Sequence, residues 1–262
     1  MIETSTTEKY AVNVALSGWS GVGTTTLTLI LALLLKRNYI YIGSVFRFLN
    51  EALNKAGDPA LSAEFEQFIQ PQVGKTLDNY IDYKLLNSNN VIVESDLSTF
   101  RIGKHPKVYS IFIKSSEAMR EKRTKKDKRK DEAPIAERDR ALREEYLKLW
   151  NIDVFDTELI ARKYNLIIDN SELSVEQEVT AVLQKLQEQP RFADDYNWKR
   201  ILKSVTRVLK LYQSKGKDKL REELRKKGLV LQPQQIMTEI VQVFPEDVKL
   251  FAPQVQKLFL GQ

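Results

Sequence analysis

The chain has 262 residues, 42% of them hydrophobic, with 41 Lys and Arg against 35 Asp and Glu for a net charge of +6. That is enough apolar material for one substantial core and a small second one. The lack of cysteine excludes a disulfide framework and a zinc–thiolate site. No stretch carries the basic and apolar regions of a signal peptide, and the longest apolar run, around residues 27–35, is too short for a bilayer, so the expectation is a soluble, cytoplasmic protein with no membrane partner.

In chain order, the first predicted strand covers residues 11–16, an apolar run that suits a buried position in a parallel sheet. Gly18-Trp19-Ser20-Gly21-Val22-Gly23-Thr24-Thr25-Thr26 follows and opens a nearly apolar helix to Leu35, which Lys36 and Arg37 are expected to close with favourable charge. This is the spacing of a phosphate-binding loop, G-x-x-x-x-G-K-[ST], except that Thr24 stands where the lysine belongs. Glycines let backbone N–H groups turn inward, and the helix N-terminus behind them attracts anions. The loop therefore points to ATP, with Thr25 offering its hydroxyl to Mg2+.

Further strands are predicted over 39–42, 91–93, 108–113 and 166–168, with helices over 44–55, 61–70 and 72–87. Five β segments with helices between them make an α/β fold, a doubly wound parallel sheet whose ligands sit at the strands' carboxyl ends. Residues 119–130 pack eight cations into a charged helical region, which reads as a lid over phosphates or as a solvated helix face. His105 reads as a loop residue. After Pro190 strand signals stop. Residues 196–212 repeat apolar side chains at helical spacing, Gly216, Gly228 and Pro233 punctuate shorter helices, and 248–260 reads as one final amphipathic helix. The expected division is a domain over 1–190 and a small all-helical appendage over 191–262, the latter carrying 15 Lys and Arg against 8 Asp and Glu. Such a basic excess suits RNA, a protein partner, or only a solvated surface.

Four segments together resemble the cytidylate kinases, particularly the compact archaeal-type branch, over roughly residues 10–188. They are the loop Ser17 to Thr26; Gly43-Ser44-Val45-Phe46-Arg47; Val91-Ile92-Val93-Glu94-Ser95-Asp96-Leu97; and Arg138-Asp139 through Tyr146 and Asn151-Ile152-Asp153 to Tyr164-Asn165-Leu166-Ile167-Ile168-Asp169-Asn170. The resemblance implies a P-loop sheet with a lid, converting ATP and CMP or dCMP into two diphosphates, with a nucleoside monophosphate as substrate. It assigns Arg47 to the acceptor phosphate and leaves Arg120, Arg123 and Arg138 at matching positions. Arg120 and Arg123, one turn apart, are expected to face the transferring phosphoryl group. Asp96 is the expected second magnesium residue beside Thr25. The chain departs from the family at Ser95-Asp96, where Gly-Arg is usual, at Glu145, where arginine is frequent, and at Asn165, where aspartate is usual. Those departures keep two other readings open: a weak or inactive nucleotide-binding scaffold whose basic tail docks RNA or protein, and a phosphate-loop kinase for another small acceptor.

Overall fold

The computed structural model describes residues 12–55, 70–95, 99–126, 133–193 and 195–261. Its centre is a sheet of five parallel strands, β1 (Asn13–Gly18), β2 (Asn38–Tyr41), β3 (Val91–Glu94), β4 (Val108–Lys114) and β5 (Leu166–Asp169), in the order β2-β3-β1-β4-β5. The five predicted strands are all present. β1 starts later than predicted and runs on to Gly18, the loop's first glycine. As the middle strand it buries all six residues, including Asn13. The Asn13 amide donates to the carbonyls of Leu85 and Ser88 and accepts from the Val91 N–H, so its burial leaves no orphan polar group.

The period-two alternation of the strands sorts their side chains onto two faces. Val14, Leu16, Ile92 and Ile111 face α1 (Thr24–Leu35), α7 (Val175–Gln187) and α9 (Trp198–Lys226). Ala15, Val91, Val93 and Val108 face α2 (Gly43–Lys55) and α3 (Gln70–Asn87), with α10 (Pro233–Val243) and α12 (Pro253–Leu260) stacked outside them. The charged region between β4 and β5 forms α4 (Glu117–Lys126), α5 (Ile135–Trp150) and α6 (Thr157–Lys163), and the short α8 (Pro190–Ala193) and α11 (Pro245–Lys249) complete the described helices. The rest of the expected lid run, residues 127–130, lies outside the described residues, as do 61–69 of the expected second helical stretch.

The region after Pro190 is built into both faces. Trp198, Ile201, Val205, Leu209, Leu220 and Leu224 are buried in one cluster with Leu27, Ile30 and Leu31 of α1. The chain also runs along the free edge of β2, where the Tyr39 N–H donates to Leu229 O at 2.8 Å and the Leu231 N–H donates to Tyr39 O at 3.2 Å. That covers an edge that would otherwise expose unpaired backbone groups.

Two local expectations are corrected. Residues 248–260 are not one helix: α11 stops at Lys249 and α12 begins at Pro253, because proline cannot continue a helix but is favoured in its first turn. Nor do Lys36 and Arg37 form a charged last turn on α1. Lys36 is the left-handed C-cap, and Arg37 is fully buried, donating to Val12 O and the Tyr196 hydroxyl, each at 2.7 Å. Among the described residues no helix is long and apolar enough to cross a membrane.

Candidate functional site

The loop between β1 and α1 takes its shape from its glycines. A Cβ on Gly18 would stand 2.5 Å from Ile113 O, so β1 and β4 come as close as they do only with glycine there. Gly21 and Gly23 hold φ of 82° and 100°, the left-handed region that favours glycine. Between them Val22 is 1% exposed and locks the loop to the core. Trp19 also packs inward, stacked on Phe155 at 5.2 Å with its indole N–H donating to Val154 O at 3.1 Å.

Behind the loop lies a network that ties it to α4, α7 and the end of β5. The Arg123 guanidinium donates to Val22 O at 3.0 Å and to the side chain and carbonyl of Asn170 at 2.8 and 2.9 Å. The Asn170 amide donates to Val22 O and to Glu178 Oε1. Burial pushes the Glu178 carboxyl up to about 7, against the lowering effects of the Asn170 hydrogen bond and the Arg123 charge. One turn before Arg123, Arg120 is 4% exposed and grips Asp139 of α5 with two bonds of 2.8 and 2.7 Å, a third reaching Ser20 O.

The loop's hydroxyl meets a carboxylate. Thr25 donates to Glu94 Oε1 and Tyr39 to Glu94 Oε2, each at 2.5 Å. Glu94 ends β3 beside the loop and is 4% exposed. It is thus the described carboxylate next to Thr25, whereas Asp96 lies outside the described residues. A hydroxyl and one carboxylate fit Mg2+, which keeps several waters and takes its other oxygens from phosphates. Among the described residues no cluster of three or more metal-ligating side chains occurs. The two carboxylates so near in sequence hid this choice; the signal that separates them is that a strand residue stays in register with β1, Leu16 beside Glu94.

The loop, Glu94, Arg123 and Glu178 line one cavity of about 1100 Å³. Loop residues 19–26 form its floor, and Arg47, Arg123 and Arg138 reach its wall, while Arg120 sits behind the loop. Across from the loop, Phe46, Ile81, Leu142 and Leu149 give an apolar pocket edged by Asp78 and Glu145. Arg47 lies over the Tyr41 ring at 4.7 Å and donates to its hydroxyl at 3.0 Å. Tyr41 folds back over Gly43, where a Cβ would stand 2.5 Å from the hydroxyl oxygen, so Gly43 must be glycine for this stack. Asp78 accepts from Arg101 and from the Trp150 indole, joining α3 to the end of α5. Burial raises Asp78, and raises neighbouring Asp82 to about 6, although the Arg101 charge opposes both.

Asn165, one of the departures from the family pattern, is not at the cavity. It accepts from the N–H and the hydroxyl of Ser110, both at 2.9 Å, and so fastens the start of β5 to β4. His105 is in the loop before β4, as expected, and accepts from the Lys107 N–H.

The cavity therefore combines a glycine-shaped loop at a helix N-terminus, a hydroxyl–carboxylate pair of a kind that fits Mg2+, arginines, and an apolar pocket. No family model matches the chain. It is 29% identical over 170 residues to the cytidylate kinase of Pyrobaculum islandicum, and 30% identical over the same length to that of Pyrobaculum arsenaticum, each alignment covering 63% of this chain and 86% of the relative. Among solved structures it is similar to an uncharacterized protein from Eubacterium ventriosum (13% identity, TM-score 0.45, 68% of this chain and 99% of that one). It is also similar to a shikimate kinase from Bacteroides thetaiotaomicron (15% identity, TM-score 0.41, 68% and 97%). With loop, strand ends and relatives in agreement, the chain belongs to the cytidylate kinase family.

Proposed function

We propose that the chain is an ATP-dependent nucleoside monophosphate kinase that takes a pyrimidine monophosphate, CMP or dCMP, as acceptor. The observation that carries this reading is that the phosphate loop and the Arg47 helix open on the same cavity, with an apolar slot between α2, α3 and α5 for the acceptor base.

Backbone N–H groups from Gly21 to Thr25 hold the triphosphate. Thr25 Oγ1 and Glu94 are the residues that would hold Mg2+, which when bound would supply neutralising charge for the donor phosphates. Arg47 swings from its rest on Tyr41 to the acceptor phosphate, which suits a planar bidentate donor. An acceptor phosphate oxygen then forms a bond to the γ-phosphorus while the bond to the ADP oxygen breaks, and both products are diphosphates. Such a transition state asks for alignment and spread positive charge rather than covalent chemistry, and Arg123 and Arg138 supply charge at the cavity wall. Arg120 acts indirectly, by holding α4, α5 and the loop in place.

The test is a coupled ADP assay with Mg-ATP and CMP, dCMP, UMP, AMP and GMP in turn. The expected result is turnover with CMP or dCMP well above the purine monophosphates. ATP binding without ADP formation for any acceptor would replace this reading by the nucleotide-binding scaffold.

A further inference from the structure

The cavity has a wall that comes from the region after Pro190. α9 runs from Trp198 to Lys226, yet Lys215 (φ −143°, ψ 16°) and Gly216 (φ 65°, ψ −156°) leave helical geometry in its middle. Gly216 takes a backbone conformation essentially reserved for glycine. A Cβ there would meet nothing within 4 Å, so the glycine serves the direction of the chain rather than relieving crowding. The break lies on the nucleotide cavity, which Tyr212, Lys215, Lys217, Asp218 and Arg221 line together with the phosphate loop.

Packing sets where the break falls. Leu209 before it and Leu220 and Leu224 after it are buried in one core with α1, whose first turn is the end of the phosphate loop. At the cavity α9 brings three cations and one acid. The acid, Asp218, is 94% exposed and ion-paired to Arg221 at 2.9 Å. Arg221 also lines a neighbouring hollow with Tyr41, Ser44 and Arg47, and its charge acts on Tyr39, the tyrosine that donates to Glu94. Lys203, Arg207 and Lys210 of the same helix are exposed and stand away from the cavity. The basic character of α9 is therefore not only a solvated surface.

We infer that the broken α9 is a working part of the nucleotide site, with Lys215, Lys217 and Arg221 contacting nucleotide phosphates and supplying the formal positive charge that the loop lacks at Thr24. The amides and hydroxyls of a loop with threonine in the lysine position can orient phosphates but carry no net charge. Of the other arginines at the cavity, Arg123 donates to Val22 O and Asn170 and Arg47 donates to Tyr41, while Arg138 also lines the wall. Cations from the opposite wall complete the neutralisation that phosphoryl transfer requires. The choice of ligand rests on the kinase reading above.

The test compares Lys215→Ala/Lys217→Ala/Arg221→Ala with Lys203→Ala/Arg207→Ala/Lys210→Ala, which removes the same charge from the same helix. Affinity for the non-hydrolysable Mg-AMP-PNP and for CMP is read by calorimetry, and KM and kcat in the ADP assay. The expected result is that the cavity triple weakens AMP-PNP or CMP about tenfold or more, roughly the strength of one lost charge-assisted contact, and the control triple stays within about twofold of wild type. Equal losses in both triples, or no loss in the cavity triple, would overturn the inference. Should that triple fold poorly, the single Lys215→Ala variant, at an exposed position, carries the same comparison. Binding is read without turnover, so a wild-type protein that binds both nucleotides yet makes no ADP refutes the kinase reading and leaves this inference to be decided by the titrations.

Discussion

The two sides of the cavity are built differently. On the phosphate-loop side, Val22, Glu94, Arg120, Asn170 and Glu178 are all buried, and hydrogen bonds link loop, β3, α4 and α7 before any ligand arrives. On the other side Arg47 rests, among the described residues, on one tyrosine, and the apolar pocket is shaped by side chains of three helices. A buried network keeps its geometry because each broken bond strands a polar group away from water. A half-exposed arginine on an aromatic ring reorients at little cost. The phosphate-loop side is thus preorganised, and the Arg47 side is left adjustable.

That contrast gives graded expectations. Removing the strut behind the loop should cost most: Arg120→Ala leaves Asp139 without its partner and should destabilise the protein by roughly 3–5 kcal/mol in urea unfolding. A loss under about 1 kcal/mol would mean that the network is not what holds the loop.

Glu178 should show the same preorganisation through pH. Its carboxyl is raised to about 7 by burial, so the folded state holds the proton more tightly than the unfolded chain. Stability from this group is full below about pH 4.5, falls as pH rises, and is lost above about 7. Glu178→Gln keeps an acceptor for Asn170 without the charge. It should gain on the order of 3 kcal/mol over wild type at pH 8 and little at pH 4.5. The same difference at both values would show that Glu178 does not titrate there.

Glu94→Gln keeps the size of the side chain but loses the charge beside Thr25, and kcat should fall on the order of 100-fold with a higher Mg2+ requirement. An unchanged Mg2+ dependence would move the metal role to another residue. The smallest effect is expected across the cavity, where Arg47→Ala should raise the acceptor KM about tenfold and leave the KM for ATP within about twofold. Equal changes in both would remove the distinction between the two sides.

Much of the donor side was legible in the residues. An apolar run, glycines at fixed spacing and an apolar helix specify β1, the loop and α1 through local physics, and Arg123 and Arg138, singled out by the family resemblance, line the cavity. The acceptor side was less so. The departure at Asn165 reads as damage to a binding site, yet the residue secures β5 to β4 from outside the cavity. Glu178 carried no signal, because an acid in the first turns of a helix is ordinary until its burial against Asn170 is known. The residues pointed to Asp96 beside Thr25, which lies outside the described residues, and gave no sign of Glu94, which strand register brings to Thr25.

Local pattern by itself determined that five parallel strands would alternate with helices, that a glycine-shaped loop would join β1 to α1, and that most of residues 196–212 would be helical. These depend on side-chain periodicity and glycine geometry over a few residues. Tertiary structure alone decided that Arg37 turns inward to Tyr196, that residues 229–231 cover the edge of β2, and that the break at Gly216 lines one cavity with the phosphate loop. The reason is distance: these pairings join segments well over a hundred residues apart, and only the packing of α9 along α1 brings them together.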